Sequence, residues 1–116
     1  MMIRKGLFEK LGGFDEHFFM YMEDMELCFR AKKRGFATYF FPKTVVVHNE
    51  LGSGNRTFAV LSIYKGLLYF YKKHKTFIQY ILVKLLLKAK AAFAFVVGLC
   101  TQNTYLIATY RKALSL

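Results

Sequence analysis

This 116-residue chain contains only two aspartates, Asp15 and Asp24. Both lie in one dense segment, Gly12 to Arg30, which reads GGFDEHFFMYMEDMELCFR. Asp24 and Glu26 form an acid-x-acid pair, a spacing that invites metal chelation. On a helix, residues two apart point about 200° apart and cannot share an ion. The flanking pattern is helical, so the pair is not a chelate. Asp24 shares a helical face with Leu27, Cys28 and Ala31, while Glu23 and Glu26 lie on another. A carboxylate at a helix start that looks toward an interior or a cleft suits a general base. The same place also suits a plain helix cap, since acidic caps are common. The residues alone leave both readings standing. His48 ends the β-branched run TVVVH beside a polar loop. A neutral imidazole there can ligate a metal ion, or it can be structural.

The elements that must position these groups follow from periodicity and punctuation. Lys5 to Leu11 reads as a short helix, with Leu7, Phe8 and Leu11 on one face and Gly12 and Gly13 ending it. Phe14 to Met22 is an aromatic turn. A second helix runs from about Glu23 to Lys33. Its first turn holds Glu23, Asp24 and Glu26, its end holds Lys32, Lys33 and Arg34, and Gly35 closes it. Two strands are expected next, Ala37 to Phe41 before the only proline, Pro42, and Thr44 to His48. Asn49 to Asn55 is a loop by composition. From Thr57, Val60, Ile63, Tyr64, Leu67, Leu68 and Tyr71 form a helical stripe, and Lys72 to Lys75 is a cationic break. Phe77 to Cys100 is the most apolar stretch, and Gln102 to Leu116 reads as a further amphipathic helix.

Composition bounds the function. Hydrophobic residues make up 55%, which excludes a disordered chain, and the length allows one small domain. Two unpaired-looking cysteines, Cys28 and Cys100, imply no disulfide framework and a reducing compartment. The first dozen residues show no secretory signal. The net charge of +11 is unevenly spread. Up to Glu50 there are eight Lys and Arg against seven acids; from Leu51 onward there are ten Lys and Arg and no acid. A region both cationic and apolar points to an anionic membrane surface. Phe77 to Cys100 is long enough to span a bilayer, but Lys84, Lys88 and Lys90 offset much of the gain, so an interfacial helix fits better. Single-stranded nucleic acid is the competing partner, because basic residues alternate with Tyr64, Tyr69 and Tyr71. No nucleic-acid-binding signature accompanies them, and the expectation is no nucleic acid.

The Gly12–Arg30 segment resembles the C-terminal half of the catalytic domain of glycosyltransferase family 2, especially its rhamnosyltransferase-like members. The matching residues are Gly12, Gly13, Phe14, Asp15, Glu16, Phe18, Phe19, Tyr21, Glu23, Asp24, Leu27, Cys28 and Arg30. Glu26 departs from the family's usual aspartate. Gly35, Tyr39, Pro42, Val46, His48 and Gly52 continue the order, and the resemblance covers about residues 2 to 75.

The resemblance implies a partial GT-A fold. The expected class is α/β, as an α+β fragment with a short helix, the Glu23–Asp24 helix, two strands and a helical C-terminal region. Residues 1–56 form the acceptor-side part, and 57–116 a basic, membrane-associated region. It implies inverting transfer of a sugar from a nucleotide-sugar donor to a glycan or lipid-linked acceptor. Asp24 and Glu23 are then the catalytic pair, with Asp24 the base; Gly13, Phe14 and Asp15 shape the substrate side, and His48 ligates a divalent cation, Mg or Mn. Tyr21 and Arg30 are read as packing and salt-bridge residues. The family's nucleotide-binding units and second acidic motif find no counterpart here. The expectation is therefore an N-terminally truncated product, inactive and metal-free alone, at the cytoplasmic face of the cell membrane. The rival reading is an inactive membrane-associated structural remnant.

Overall fold

The computed structural model describes residues 1–45, 47 and 55–116. Their order is α1 (Lys5–Leu11), α2 (Glu23–Lys33), α3 (Arg56–His74), α4 (Phe77–Cys100) and α5 (Thr104–Leu114). The chain divides into two compact units, Met1–Gly54 and Asn55–Leu116.

In the first unit, Leu7 and Leu11 of α1 pack with Leu27 and Ala31 of α2, joined by Ile3 and Phe8. α1 ends where Gly12 and Gly13 take φ of 81° and 73°. Side chains with a Cβ rarely adopt that left-handed backbone, so two glycines in a row mark the turn. The Gly13 N–H reaches back to the Phe8 carbonyl at 3.0 Å, satisfying one of the helix's orphan acceptors. α2 closes similarly, with the Phe36 N–H on the Ala31 carbonyl at 3.1 Å.

The expected α/β class is overturned: among the described residues there is no strand. Ala37 to Phe41 is irregular, and Tyr39 and Phe40 are 86% and 91% exposed. Thr44, Val45 and Val47 are not strand either, while Val46 and His48 lie outside the described residues. The physical reason is that β-propensity measures fit to a half-buried pleated surface. An aromatic, β-branched run without a neighbouring edge has nowhere to satisfy its backbone, and even two isolated strands are marginal in water.

The second unit is three packed helices. Each starts on a polar cap. Asn55 accepts from the Phe58 N–H at 3.2 Å, and Asn103 from the Leu106 N–H at 3.2 Å. Thr76 and Gln79 form a reciprocal capping box. The expected break at Lys72 to Lys75 is shorter than the charge run suggests. α3 continues through His74, whose ring lies 5.1 Å from that of Phe70. Tyr64, Ala91 and Ala113 form the core with Val60, Leu61, Leu87 and Tyr110. Gly98 lets α4 and α5 approach closely: a Cβ there meets the Leu106 Cβ at 2.9 Å and the Ile107 nitrogen at 3.1 Å. The Thr57 and Thr109 hydroxyls meet at 2.7 Å and tie α3 to α5. No helix of the described residues is long and apolar enough to cross a membrane.

Candidate functional site

The start of α2 is built without an ordinary cap. Its N-cap, Met22, has φ 74° and gives no side-chain hydrogen bond, and Tyr21 before it has φ 67°. Two successive non-glycine residues in the left-handed region store roughly 1–3 kcal/mol each. Such strain is held only where surrounding contacts over-determine it. Here it fixes the chain direction immediately before Glu23 and Asp24.

Asp24 is exposed, and its Oδ1 accepts the Met25 N–H at 2.8 Å. It lies on the same helical face as Leu27 and Ala31. However, α1 covers that face only from Leu27 onward, so Asp24 looks into solvent rather than into a packed interior. One part of the cap reading is present, since the side chain satisfies a first-turn donor. The carboxylate retains further acceptor sites. Glu23 is half-buried, and its Oε2 is buried with no hydrogen-bond partner.

The Gly13–Asp15 turn is held to α2 by Arg30. Its Nε donates to Glu26 Oε2 at 2.8 Å, its Nη2 to the Gly13 carbonyl at 2.6 Å, and its Nη1 to the Leu11 carbonyl. Arg34 donates to the Lys10 carbonyl. Two guanidinium groups thus meet the C-terminal carbonyls of α1, where the helix dipole favours cations. Phe14 stands edge-on to Phe8 with ring centres 5.3 Å apart. Asp15 Oδ1 accepts from the His17 N–H at 3.0 Å and lies 2.8 Å from His17 Nδ1. With only 11% of its side chain exposed, Asp15 shapes the turn from within.

The structure therefore gathers Gly13 and α2 through one arginine and leaves Asp24 as a presented carboxylate at a strained junction. Arg30 has the salt-bridge role expected from the sequence. Glu26 is 0% exposed, the deepest charge among the described residues of the unit. Its charge is met by Arg30, which also binds the Leu11 and Gly13 carbonyls. The Glu26–Arg30 spacing of four on a helix was the available signal.

His48 lies outside the described residues. Among the described residues, no group of three or more His, Cys, Asp or Glu is placed to hold a metal ion. No step is assigned to the expected divalent cation.

No family model matches the chain. No solved structure matches it. It is 39% identical over 56 residues to an N-acetylglucosaminyl-diphospho-decaprenol L-rhamnosyltransferase of Mycobacterium tuberculosis, covering 48% of this chain and 18% of that protein. It is 36% identical over 50 residues to the low-salt glycan biosynthesis hexosyltransferase Agl10 of Haloferax volcanii, covering 43% of this chain and 16% of that one. Rhamnosyltransferase WbbL of Escherichia coli is 35% identical over 48 residues, covering 41% and 18%. The chain thus spans less than a fifth of the length of these relatives. Over nearly half of its own length, the chain is related to glycosyltransferases of the rhamnosyltransferase-like kind.

Proposed function

We propose that the first unit supplies the acceptor-side, base-carrying part of an inverting sugar-transfer site, with Asp24 as the general base. The donor in this reading is a nucleotide sugar. The acceptor is a glycan or a sugar carried on a diphospho-polyprenol, the kind of group named in the Mycobacterium tuberculosis relative. The whole transfer is assigned to the complete enzyme, and this chain alone is expected not to turn over. The cytoplasmic face of the cell membrane is the proposed location, because a lipid-linked acceptor is presented at a surface.

The observation that carries the base assignment is the exposed Asp24 carboxylate. It is fixed through Oδ1 by the Met25 N–H at 2.8 Å, at the end of the left-handed Tyr21–Met22 pair. An acceptor hydroxyl is a weak nucleophile, and removal of its proton during displacement is worth about 10²–10⁴-fold. Only one Asp24 oxygen is engaged by the backbone, so the other is open to that hydroxyl. Glu23 beside it, with a buried and unpartnered Oε2, is the second catalytic residue of this reading.

The test is a chimera. The matched segment of the Mycobacterium tuberculosis relative is replaced by the corresponding residues of this chain, and rhamnosyl transfer is followed as initial rate against donor concentration. Asp24→Asn keeps an oxygen for the Met25 N–H but loses basicity. It is expected to lower kcat by about 100- to 10,000-fold. The donor KM and the melting temperature should stay nearly unchanged. Near-normal turnover of the variant removes the base assignment. A folded but inactive parent chimera favours the remnant reading.

A further inference from the structure

The 24 residues of α4 do not share their apolar surface evenly with the rest of the second unit. One side of the helix, around Leu87, Ala91 and Gly98, packs against α3 and α5. The opposite side carries Ile78, Leu82, Leu85, Leu86, Phe93 and Val96, all exposed; Leu85 is 60% and Phe93 72% exposed. At about 100° per residue these six fall within one sector of roughly 100°, running nearly the whole helix. Two lysines of α4 flank that sector, Lys88 on one side and Lys90 on the other, while Lys84 lies nearer the packed side. Long lysine stems can lie along apolar surface while their ammonium groups reach a polar boundary.

An apolar stripe of this length on a folded protein marks an interaction surface. The occupant is decided by charge and length. Residues 55–116 hold ten Lys and Arg and no acid. A second copy docking on this stripe brings lysine rows of equal sign together, which opposes pairing. An acidic, apolar layer satisfies both the stripe and its cationic margins. The helix is also not apolar enough to cross a bilayer, which leaves it lying in the plane.

We infer that the exposed face of α4 seats in the surface of an anionic lipid bilayer, with Lys88 and Lys90 against the headgroups. This deepens the proposed location of the transfer site, but its test needs no sugar transfer and is independent of the Asp24 result.

The experiment is co-sedimentation of the whole chain with phosphatidylglycerol vesicles and with phosphatidylcholine vesicles at two salt concentrations. Helix content is followed by circular dichroism and self-association by sedimentation velocity. The chain is expected to partition at least tenfold better onto phosphatidylglycerol and to remain largely bound at high salt. Leu85→Glu with Phe93→Glu replaces two exposed side chains, so helix content should hold while partitioning falls at least tenfold. Lys88→Gln with Lys90→Gln should reduce the preference for phosphatidylglycerol and keep binding to both; an unchanged preference overturns the headgroup role of these lysines. If the Leu85→Glu, Phe93→Glu chain binds as before, α4 is not the seat. If no vesicle binds while the unsubstituted chain dimerises and this variant does not, the occupant is a second copy and the inference is wrong.

Discussion

Glu26 and Arg30 show how much a single pair can hold at the scale of residues. A fully buried carboxylate is tolerated only when its charge is met, and here one guanidinium meets it while also binding the Leu11 and Gly13 carbonyls. Removing one partner of such a pair leaves the other charge unpaired, a loss of about 3–5 kcal/mol. Arg30→Ala is expected to destabilise the first unit by that order in urea titration. Glu26→Gln keeps the shape and should cost less, about 1–3 kcal/mol. Asp24→Asn, exposed and still able to accept from Met25, should leave the same titration nearly unchanged. The two acids are therefore separable: Glu26→Gln is expected to lower stability and Asp24→Asn is not. If Glu26→Gln unfolds no more readily than Asp24→Asn, the buried pair does not organise the turn.

The close passage of α4 and α5 is an element-scale constraint. Both helices turn back through Thr101 to Asn103, with Gln102 at φ 52° and the Asn103 N–H on the Gly98 carbonyl at 2.9 Å. The missing Cβ at Gly98 is what allows Leu106 and Ile107 to sit against α4. Alanine ordinarily favours a helix interior by about 1 kcal/mol over glycine. At this position the clash outweighs the propensity, because the atoms it meets include backbone and a Cβ rather than a flexible side-chain tip. Gly98→Ala is expected to lower stability by about 1–3 kcal/mol, the range for overpacking. A thermal melt showing Gly98→Ala more stable than the parent contradicts the close crossing. The failed strand belongs to this scale too. Ala37 to Phe41 has strand composition but no edge to pair with among the described residues, and composition cannot supply a partner.

At the scale of the whole molecule, charge and burial make the response to pH uneven. All seven Asp and Glu lie before Leu51, so the second unit has no side-chain carboxylate to lose at low pH. Its buried titratable group is Tyr64, 4% exposed, with its hydroxyl unpartnered. Burial pushes that phenol above the ordinary tyrosine value of 10.0, and neighbouring Tyr110 adds to the rise. A raised acid group favours the folded state while both states are protonated. That contribution is complete below pH 10 and is lost as pH climbs from there through the raised value, because the unfolded chain ionises first. Tyr64→Phe removes both the orphan hydroxyl and this titration. It should be neutral or stabilising by about 1 kcal/mol near neutral pH, since the desolvation cost of the hydroxyl disappears. Above pH 10 its stability should fall less steeply than that of the parent in urea titrations across pH. An identical alkaline decline in both chains contradicts the buried phenol.

What could be read along the chain was local. The helical spacing of Leu7, Phe8 and Leu11, the paired glycines at 12 and 13, and the acids and bases at the two ends of α2 all act through neighbours within a few residues. Such signals survive in sequence because turn geometry and dipole complementarity need no distant partner. The Gly12–Arg30 motif was legible for the same reason, as a contiguous run whose resemblance to glycosyltransferases agrees with the related proteins. What lay beyond the sequence depended on which surface meets which. Glu26 is buried against an arginine that is itself held by the Gly13 carbonyl, Asp24 is exposed because α1 packs only on Leu27 and Ala31, and Gly98 matters because α5 returns against it. Those outcomes are decided by long-range burial, which no window of neighbouring residues contains. The strand assignments failed on the same point, since a strand is stabilised by the edge it joins and not by its own side chains.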